Sequence, residues 1–475
     1  MTREIMEDDA LGTDPHKEIR ATLSLAGPII ATMIGIILME TVDTLMIGHL
    51  GENALAAAAL ALNIWFLFLL FGIGALGAVS SLAAQAIGMG DIRGVRRSAR
   101  SGIWLGLMLG TPFALILLYT EDILILLGQP AHLTALAQDY VDWMGPVLIV
   151  VFVSLPLRMT LASFGVTRPS MMIVLAGVPL NALFNWIFMF GGLGGPELGL
   201  AGAGISTLLV DIFVLVGQVA YIQMTPRFRD LELFARFWRF DRERFRKLIA
   251  VGAPSGMTSV VEHAFFAATA IMMGWVGVTQ LAAHQVAVQI VGIMFMVPFG
   301  LGQAATIRVA LAAGAGNLAA VRLRARIPMV LNWMAMVVAI LIYWIFGPEL
   351  VGLFLAPNDP NRAEIVAYGS LFLSIAAIFQ LFDGTQSTGG GILRGMNDTI
   401  VPMIIAMVGY WAVGIVGAYV LAFPMGMEGV GIWYGLLGGL AASAIGILIR
   451  IAYDTSRPER AFRYVHHGNI PADGK

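Results

Sequence analysis

The stretch AFFAATAIMMGWVGVTQLAAHQVAVQIVGIMFMVPFGLGQAATI, from Ala264 to Ile307, contains no Asp, Glu, Lys or Arg. A helix needs about 20 apolar residues to cross the hydrocarbon layer of a membrane. This stretch is therefore long enough for two crossings, and Gly274 and Gly277 are the residues at which a turn between them is expected. It predicts two consecutive transmembrane helices.

The whole chain has the composition of a membrane protein. It has 475 residues, of which 58% are hydrophobic and 12% are charged, and its mean hydropathy is +0.83, whereas about a quarter of the residues of a soluble domain are charged. Cysteine is absent, which excludes disulfides and thiolate metal sites. The net charge of −2 argues against a nucleic-acid partner. The acidic first residues do not resemble a cleaved signal peptide.

Apolar segments of spanning length recur along the chain and predict an all-α integral membrane protein. The predicted spans are residues 24–47, 54–78, 101–119, 140–160, 168–190, 200–222, 249–273, 281–306, 327–346, 366–388, 400–422 and 430–452.

The basic residues orient these twelve spans, because short cytoplasmic loops are enriched in Lys and Arg. An even number of spans puts both termini on one side of the membrane. Every Lys and Arg except Arg362 then falls on that same side. We therefore expect cytoplasmic tails at 1–22 and 453–475.

The chain is an internal repeat with a shift of 226 residues. This shift pairs Pro28 with Pro254 and Arg96 with Arg322. Because six spans separate equivalent residues, the two copies have the same orientation and are related by an axis along the membrane normal. The predicted organisation is an N-lobe at 23–222, a cytoplasmic linker at 223–248 and a C-lobe at 249–452.

Polar side chains inside the first lobe are candidates for function, because an ionisable group in the bilayer is costly. Glu40 and Asp43 are three residues apart and share a helix face. Asn181 and Asn185 are four apart and offer carbonyl oxygens suited to a hard cation. Thr207 could add a hydroxyl group.

The second lobe has its own carboxylates, Glu262 and Asp383, with Gln386 one turn after Asp383. Under the shift of 226, Glu262 pairs with Ile36 and Asp43 pairs with Thr269. These carboxylates are therefore not part of the duplicated scaffold. The flexible or aromatic side chains of the second lobe could line a substrate cavity; these are Phe265, Met294 and Phe295.

Enzyme signatures are absent from the sequence. There is no His-Glu-x-x-His zinc helix, no Walker phosphate loop and no Gly-x-Ser-x-Gly elbow,. We expect a transporter that is not an enzyme, and without a nucleotide site its energy must come from an ion gradient.

Four motifs resemble those of the multidrug and toxic compound extrusion (MATE) family, in particular its NorM branch. They are ETVDTLMIG at 40–48, PLNALFN at 179–185, AAHQVA at 282–287, which contains Gln285, and FDGTQ at 382–386. They occur in order in both lobes, and the resemblance extends from about Leu23 to Ile451.

The resemblance implies a V-shaped pair of six-helix lobes that exports cationic, often aromatic drugs in exchange for Na⁺ or H⁺. It implies Na⁺ or H⁺ binding at Glu262 and Asp383, a first-lobe site at Asp43, Asn181 and Asn185, and no cofactor besides the coupling ion. We expect a monomer in the bacterial inner membrane, with the bilayer and small organic cations as its partners.

Two other functions stay open at this stage. A flippase for lipid-linked saccharides should have a basic cavity for pyrophosphate. An ion channel should conduct without exchange. The sequence does not choose between Na⁺ and H⁺ as the coupling ion.

Overall fold

The computed structural model describes residues 12–235, 237–357 and 360–465. Within these residues it contains twelve helices that are long and apolar enough to cross a membrane, which confirms the predicted all-α architecture and the number of spans. They are α1 Pro15–Gly48, α2 Glu52–Gly88, α3 Ile92–Leu117, α4 Ala131–Ser163, α5 Arg168–Phe190, α6 Leu200–Met224, α7 Arg242–Val276, α8 Val278–Gly314, α9 Leu318–Gly352, α10 Arg362–Gly395, α11 Ile400–Ala422 and α12 Glu428–Asp454.

Several helices continue beyond the hydrophobic segments that predicted them. Helix α1 begins at Pro15, inside the predicted tail 1–22. Helices α3 and α9 begin before their predicted starts at 101 and 327, because side-chain caps set their first turns. Asp91 accepts a hydrogen bond from the Gly94 amide at 2.9 Å, and Asn317 accepts one from the Ala320 amide at 3.0 Å; both are N-caps. The outer parts of the predicted tails, before residue 12 and after residue 465, lie outside the described residues.

The chain divides into two compact units, and each boundary falls inside a helix. One unit, called here the N-unit, is Ala31–Gly256; the other, the C-unit, comprises the chain up to Ile30 and from Met257 onward. Ile30 and Gly256 are themselves 226 residues apart. The first part of α1 therefore belongs with the later helices, and the first part of α7 belongs with the earlier ones, whereas the prediction placed the boundaries in loops at 23 and 249.

Each unit has its own hydrophobic core. In the N-unit, Trp65, Phe152 and Leu248 belong to one buried cluster. In the C-unit, Phe265, Tyr410 and Trp433 belong to another. The helices approach closely through glycine, as at Gly252, where an added Cβ would lie 2.3 Å from the Ala75 carbonyl oxygen.

The repeat shift widens within the chain. The N-caps Asp91 and Asn317 are 226 apart, but the left-handed residues that end α4 and α10, Gly165 (φ 78) and Asn397 (φ 61), are 232 apart. The additional residues lie in the loop between α9 and α10. Equivalent positions in α4 and α10 are therefore found with the shift of 232.

A buried ion cluster fixes the start of α1 in the C-unit. Arg308 donates from Nε to Glu18 at 2.8 Å, and Arg324 Nε lies 3.2 Å from the same carboxylate. The exposed fraction of the Glu18 side chain is only 3%.

The N-unit repeats these contacts with different chemistry. Arg244, the repeat equivalent of Glu18, donates to the Ser98 hydroxyl at 2.8 Å and to the Leu82 carbonyl at 3.0 Å. Ser98 and Leu82 are the equivalents of Arg324 and Arg308. The position of each contact is conserved between the repeats, but a carboxylate has been exchanged for a guanidinium.

The linker between α6 and α7 packs on the start of α3. The ring of Trp104 stacks on Phe237 with centroids 5.4 Å apart, and its indole N–H donates to the Phe237 carbonyl at 3.1 Å. Arg97 donates hydrogen bonds to Asp241 and holds the pKa of that carboxyl below its usual range. The linker is therefore a folded part of the N-unit.

Candidate functional site

Asp43 is the centre of a polar cluster in the N-unit. It accepts hydrogen bonds from the side-chain amides of Asn181 at 2.9 Å and Asn185 at 2.6 Å, and from the Thr207 hydroxyl at 3.4 Å. Asn181 and Asn185 are fully buried, and their spacing of four residues puts both amides on one face of α5. The structure thus brings together the four residues that sequence reasoning selected in this lobe.

A cavity of about 310 Å³ opens beside Asp43. Its wall contains three carboxylates, Glu40, Asp43 and Asp211, together with aromatic side chains that include Trp65 and Tyr140. This volume is at the lower end of the range for small-molecule sites. Negative charge next to aromatic rings is a suitable lining for an organic cation.

Sequence reasoning missed an interaction in this cavity. Arg158 also lines it and interacts electrostatically with Asp211. Arg158 lies in α4, near the end where the basic residues cluster, and was counted with them; Asp211 was interpreted as a packing or gating group. Their proximity depends on how α4 packs against α6, which hydropathy does not report.

The second pair of carboxylates lies in the C-unit. Asp383 of α10 is almost fully buried, and its Oδ1 atom has no hydrogen-bond partner. It interacts electrostatically with Glu262 of α7, which in turn interacts with Arg394. Tyr410 of α11 is buried beside both carboxylates. The predicted pairing of Glu262 with Asp383 is thus present as a spatial arrangement.

The remaining candidates occupy different surroundings. Gln386 is buried, and its Oε1 atom has no partner. Gln285 is exposed on α8. Phe265 is fully buried in the C-unit core, where it stacks on Tyr410 with centroids 5.0 Å apart, so it packs in the core and does not line a cavity.

Met294 and Phe295 are partly buried, and Phe295 contacts the ring of Phe299 on its own helix, with centroids 6.2 Å apart. Among the described residues, no group of three or more His, Cys, Asp or Glu is placed to hold a metal ion. A divalent cation site built from several carboxylates is therefore not present in that part of the chain.

Residues 28–187 and 254–420 match the model of the MatE family. The chain belongs to this family. The two matched segments begin at Pro28 and Pro254, which the repeat shift relates to each other.

Curated relatives cover nearly the whole chain. A protein of Mesorhizobium japonicum named "Probable multidrug resistance protein NorM" is 39% identical over 453 residues, which are 94% of this chain and 96% of the relative. A protein of Bradyrhizobium diazoefficiens with the same name is 40% identical over 91% of this chain and 92% of its own length. This MatE protein is therefore a multi-pass bacterial membrane transporter and not an enzyme.

Solved structures share its fold. A eukaryotic MATE transporter, AtDTX14, superposes with a TM-score of 0.82 over 95% of this chain and 99% of its own, at 22% identity. An outward-facing multidrug resistance MATE family transporter of the MOP superfamily gives a TM-score of 0.84 over 95% and 98%, at 20% identity. At these identities the likeness concerns the fold.

Proposed function

We propose that this MatE protein is a secondary active multidrug exporter that moves cationic, often aromatic drugs out of the cell in exchange for Na⁺ or H⁺. The observation that carries the proposal is the cavity beside Asp43, where three carboxylates and several aromatic rings share one wall. The names of the relatives, which are multidrug resistance proteins, support the same function. We place the transporter in the bacterial inner membrane as a monomer, with both termini in the cytoplasm.

The site residues act through competition in this proposal. Asp43, held by Asn181 and Asn185, binds a drug cation or the coupling ion but not both. Glu262 and Asp383 bind the coupling ion in the C-unit. A ligand shifts a conformational equilibrium only by its difference in affinity for the two states, and competition for the same carboxylates supplies that difference.

The cavity argues against a flippase for lipid-linked saccharides. Such a protein needs excess positive charge to hold pyrophosphate. The Arg158 guanidinium in this cavity is outnumbered by Glu40, Asp43 and Asp211. An organic cation fits this charge balance better than an anion.

Reconstituted vesicles test the proposal directly. Drug efflux should be driven by an imposed Na⁺ gradient or an imposed pH gradient, each applied alone, and should show counterflow, which a channel does not. The variants Asp43→Asn, Glu262→Gln and Asp383→Asn should each lose most of the transport rate.

Glu364→Gln is the matched control, because Glu364 is an exposed acid in the first turn of α10. Wild-type rates in all three site variants would refute the assignment of the site. Flux without either gradient and without saturation by drug would replace the exporter by a channel.

A further inference from the structure

A second set of polar side chains lies in the C-unit, where α9 packs on α10. Asn332 of α9 and Gln380 of α10 are fully buried, and Asp383 is 2% exposed. Both polar atoms of the Asn332 amide, both of the Gln380 amide and Oδ1 of Asp383 have no hydrogen-bond partner. Buried polar groups are nearly always partnered, so such a group signals an absent water or ion.

Glycine brings these groups together. A Cβ added at Gly384 would lie 2.6 Å from Oδ1 and 3.1 Å from Nδ2 of Asn332, so the Asn332 amide rests directly on the α10 backbone at that residue. Gly384 follows Asp383 in the sequence and lies one helical turn after Gln380. The amide of Asn332 therefore reaches α10 beside the carboxylate and one turn from the second amide.

The repeat shows what this contact looks like without the polar groups. With the shift of 226 for α9 and of 232 for α10, Asn332 corresponds to Gly106 and Gly384 corresponds to Phe152. These two N-unit residues are also in contact, since a Cβ at Gly106 would lie 2.2 Å from the Phe152 carbonyl oxygen. The agreement of the two contacts supports the register.

The N-unit fills this place with apolar side chains. Phe152 is fully buried, and its ring lies against Gly72. By the same register Asp383 corresponds to Val151 and Gln380 to Leu148, which are apolar as well. The C-unit has thus exchanged a packed ring and two aliphatic side chains for a glycine, two amides and a carboxylate.

The donor set favours a monovalent hard cation. Carboxylate and amide carbonyl oxygens are ligands for hard cations, and one carboxylate balances one positive charge. A pocket whose oxygen atoms have no internal partner also costs less to load with a dehydrated ion, because no existing hydrogen bond must be broken.

We propose that Asn332, Gln380 and Asp383 form a binding site for a dehydrated sodium ion between α9 and α10. The inference rests on the proposed function and deepens it, since it makes Na⁺ the coupling ion and adds two ligands that the sequence did not indicate. Asp383 then faces two neighbours, Glu262 of α7 on one side and the Asn332 amide on the other.

Sodium binding to the purified transporter, measured in detergent with ²²Na⁺, tests the site without any transport assay. Asn332→Leu and Gln380→Met remove the oxygen ligands at nearly constant volume and should each weaken Na⁺ binding by about tenfold or more. Asp383→Asn should abolish it. Gln218→Met is the control, because Gln218 is a fully buried amide of the N-unit.

A glycine pair keeps the test decisive if a leucine variant does not fold. Gly384→Ala puts a methyl group against the Asn332 amide and should weaken Na⁺ binding, whereas Gly390→Ala on the same helix meets nothing within 4 Å and should not. Wild-type Na⁺ affinity in Asn332→Leu, Gln380→Met and Gly384→Ala would overturn the site.

Absence of Na⁺ binding to the wild-type protein would overturn it too. If that protein still exports drug under a pH gradient, the proposed function stands and only the sodium site falls. If it exports under neither gradient, the proposed function fails independently of what the binding measurement shows.

Discussion

Asp43 depends on its neighbours for its position. Two amide donors and one hydroxyl donor converge on its carboxylate, and both amides come from one face of α5. A hydrogen bond to a charged group contributes about 1.5–3 kcal/mol, so each donor contributes substantially to where the carboxylate points. The Asn185 Oδ1 atom itself has no partner, which leaves an acceptor for a ligand beside Asp43.

The variant Asn185→Leu should therefore lower drug efflux by about tenfold or more, because Asp43 loses its shorter amide hydrogen bond and roughly the 1.4 kcal/mol that corresponds to a factor of ten. Efflux from vesicles, normalised to the amount of folded protein, measures the effect. Asn63→Leu is the control, since Asn63 is exposed and donates to the Ala59 carbonyl of its own helix. Equal efflux from the two variants would contradict a positioning role for Asn185.

Spacing along single helices was sufficient to predict the group around Asp43. Asn181 and Asn185 share a face of α5 whatever surrounds that helix. Arg158 and Asp211 belong to different helices, as do Asn332 and Gln380, and amides in apolar helices are common. Only the packing of one helix on another shows that these pairs meet.

At the scale of the helix, the start of α1 is held by charge. Glu18 is 3% exposed and is bound by Arg308 and Arg324, which come from two other helices. Removing one partner of a buried ion cluster is strongly destabilising, because the remaining charges stay buried. The equivalent N-unit contact, made by Arg244 to a hydroxyl and a carbonyl group, contains no carboxylate.

Glu18→Gln should therefore reduce stability by about 3 kcal/mol. The fall in melting temperature of the purified protein measures the loss. Glu364→Gln, which changes an exposed acid, should leave the melting temperature unchanged. A melting temperature of Glu18→Gln equal to that of the control would show that the cluster contributes little.

Hydropathy predicted the twelve spans and the glycine break between α7 and α8, because both depend on local composition. It did not predict that α1 begins at Pro15, since the first turns of that helix are polar. The ion cluster around Glu18 pairs residues 290 positions apart, and nothing in either segment alone indicates the contact.

At the scale of the molecule, the chain passes from one unit to the other inside two helices. Pro28 lies two residues before the boundary at Ile30, and Pro254 lies two residues before the boundary at Gly256. A proline within a helix removes a backbone hydrogen bond and permits bending there. The repeat thus places a point of flexibility at each crossing.

Pro28→Ala and Pro254→Ala should slow drug efflux while leaving the melting temperature equal or higher, because alanine restores the helical hydrogen bond and stiffens the crossing. Efflux rate and melting temperature measured on the same preparations separate the two effects. Pro112→Ala changes a proline inside α3, away from either boundary, and should not slow transport. Slowing of equal size in Pro112→Ala would contradict a special role for the crossings.

The buried carboxylate of Glu18 also has a consequence for biosynthesis. The ribosome makes Glu18 at the outset, but its partner Arg308 follows 290 residues later. At about 5–20 residues per second, the nascent chain waits roughly 15 to 60 s before the beginning of its first helix can be completed. The first segment to enter the membrane is therefore among the last to reach its final packing, and a chain truncated before α8 leaves that end unfinished and recognisable to quality-control proteases.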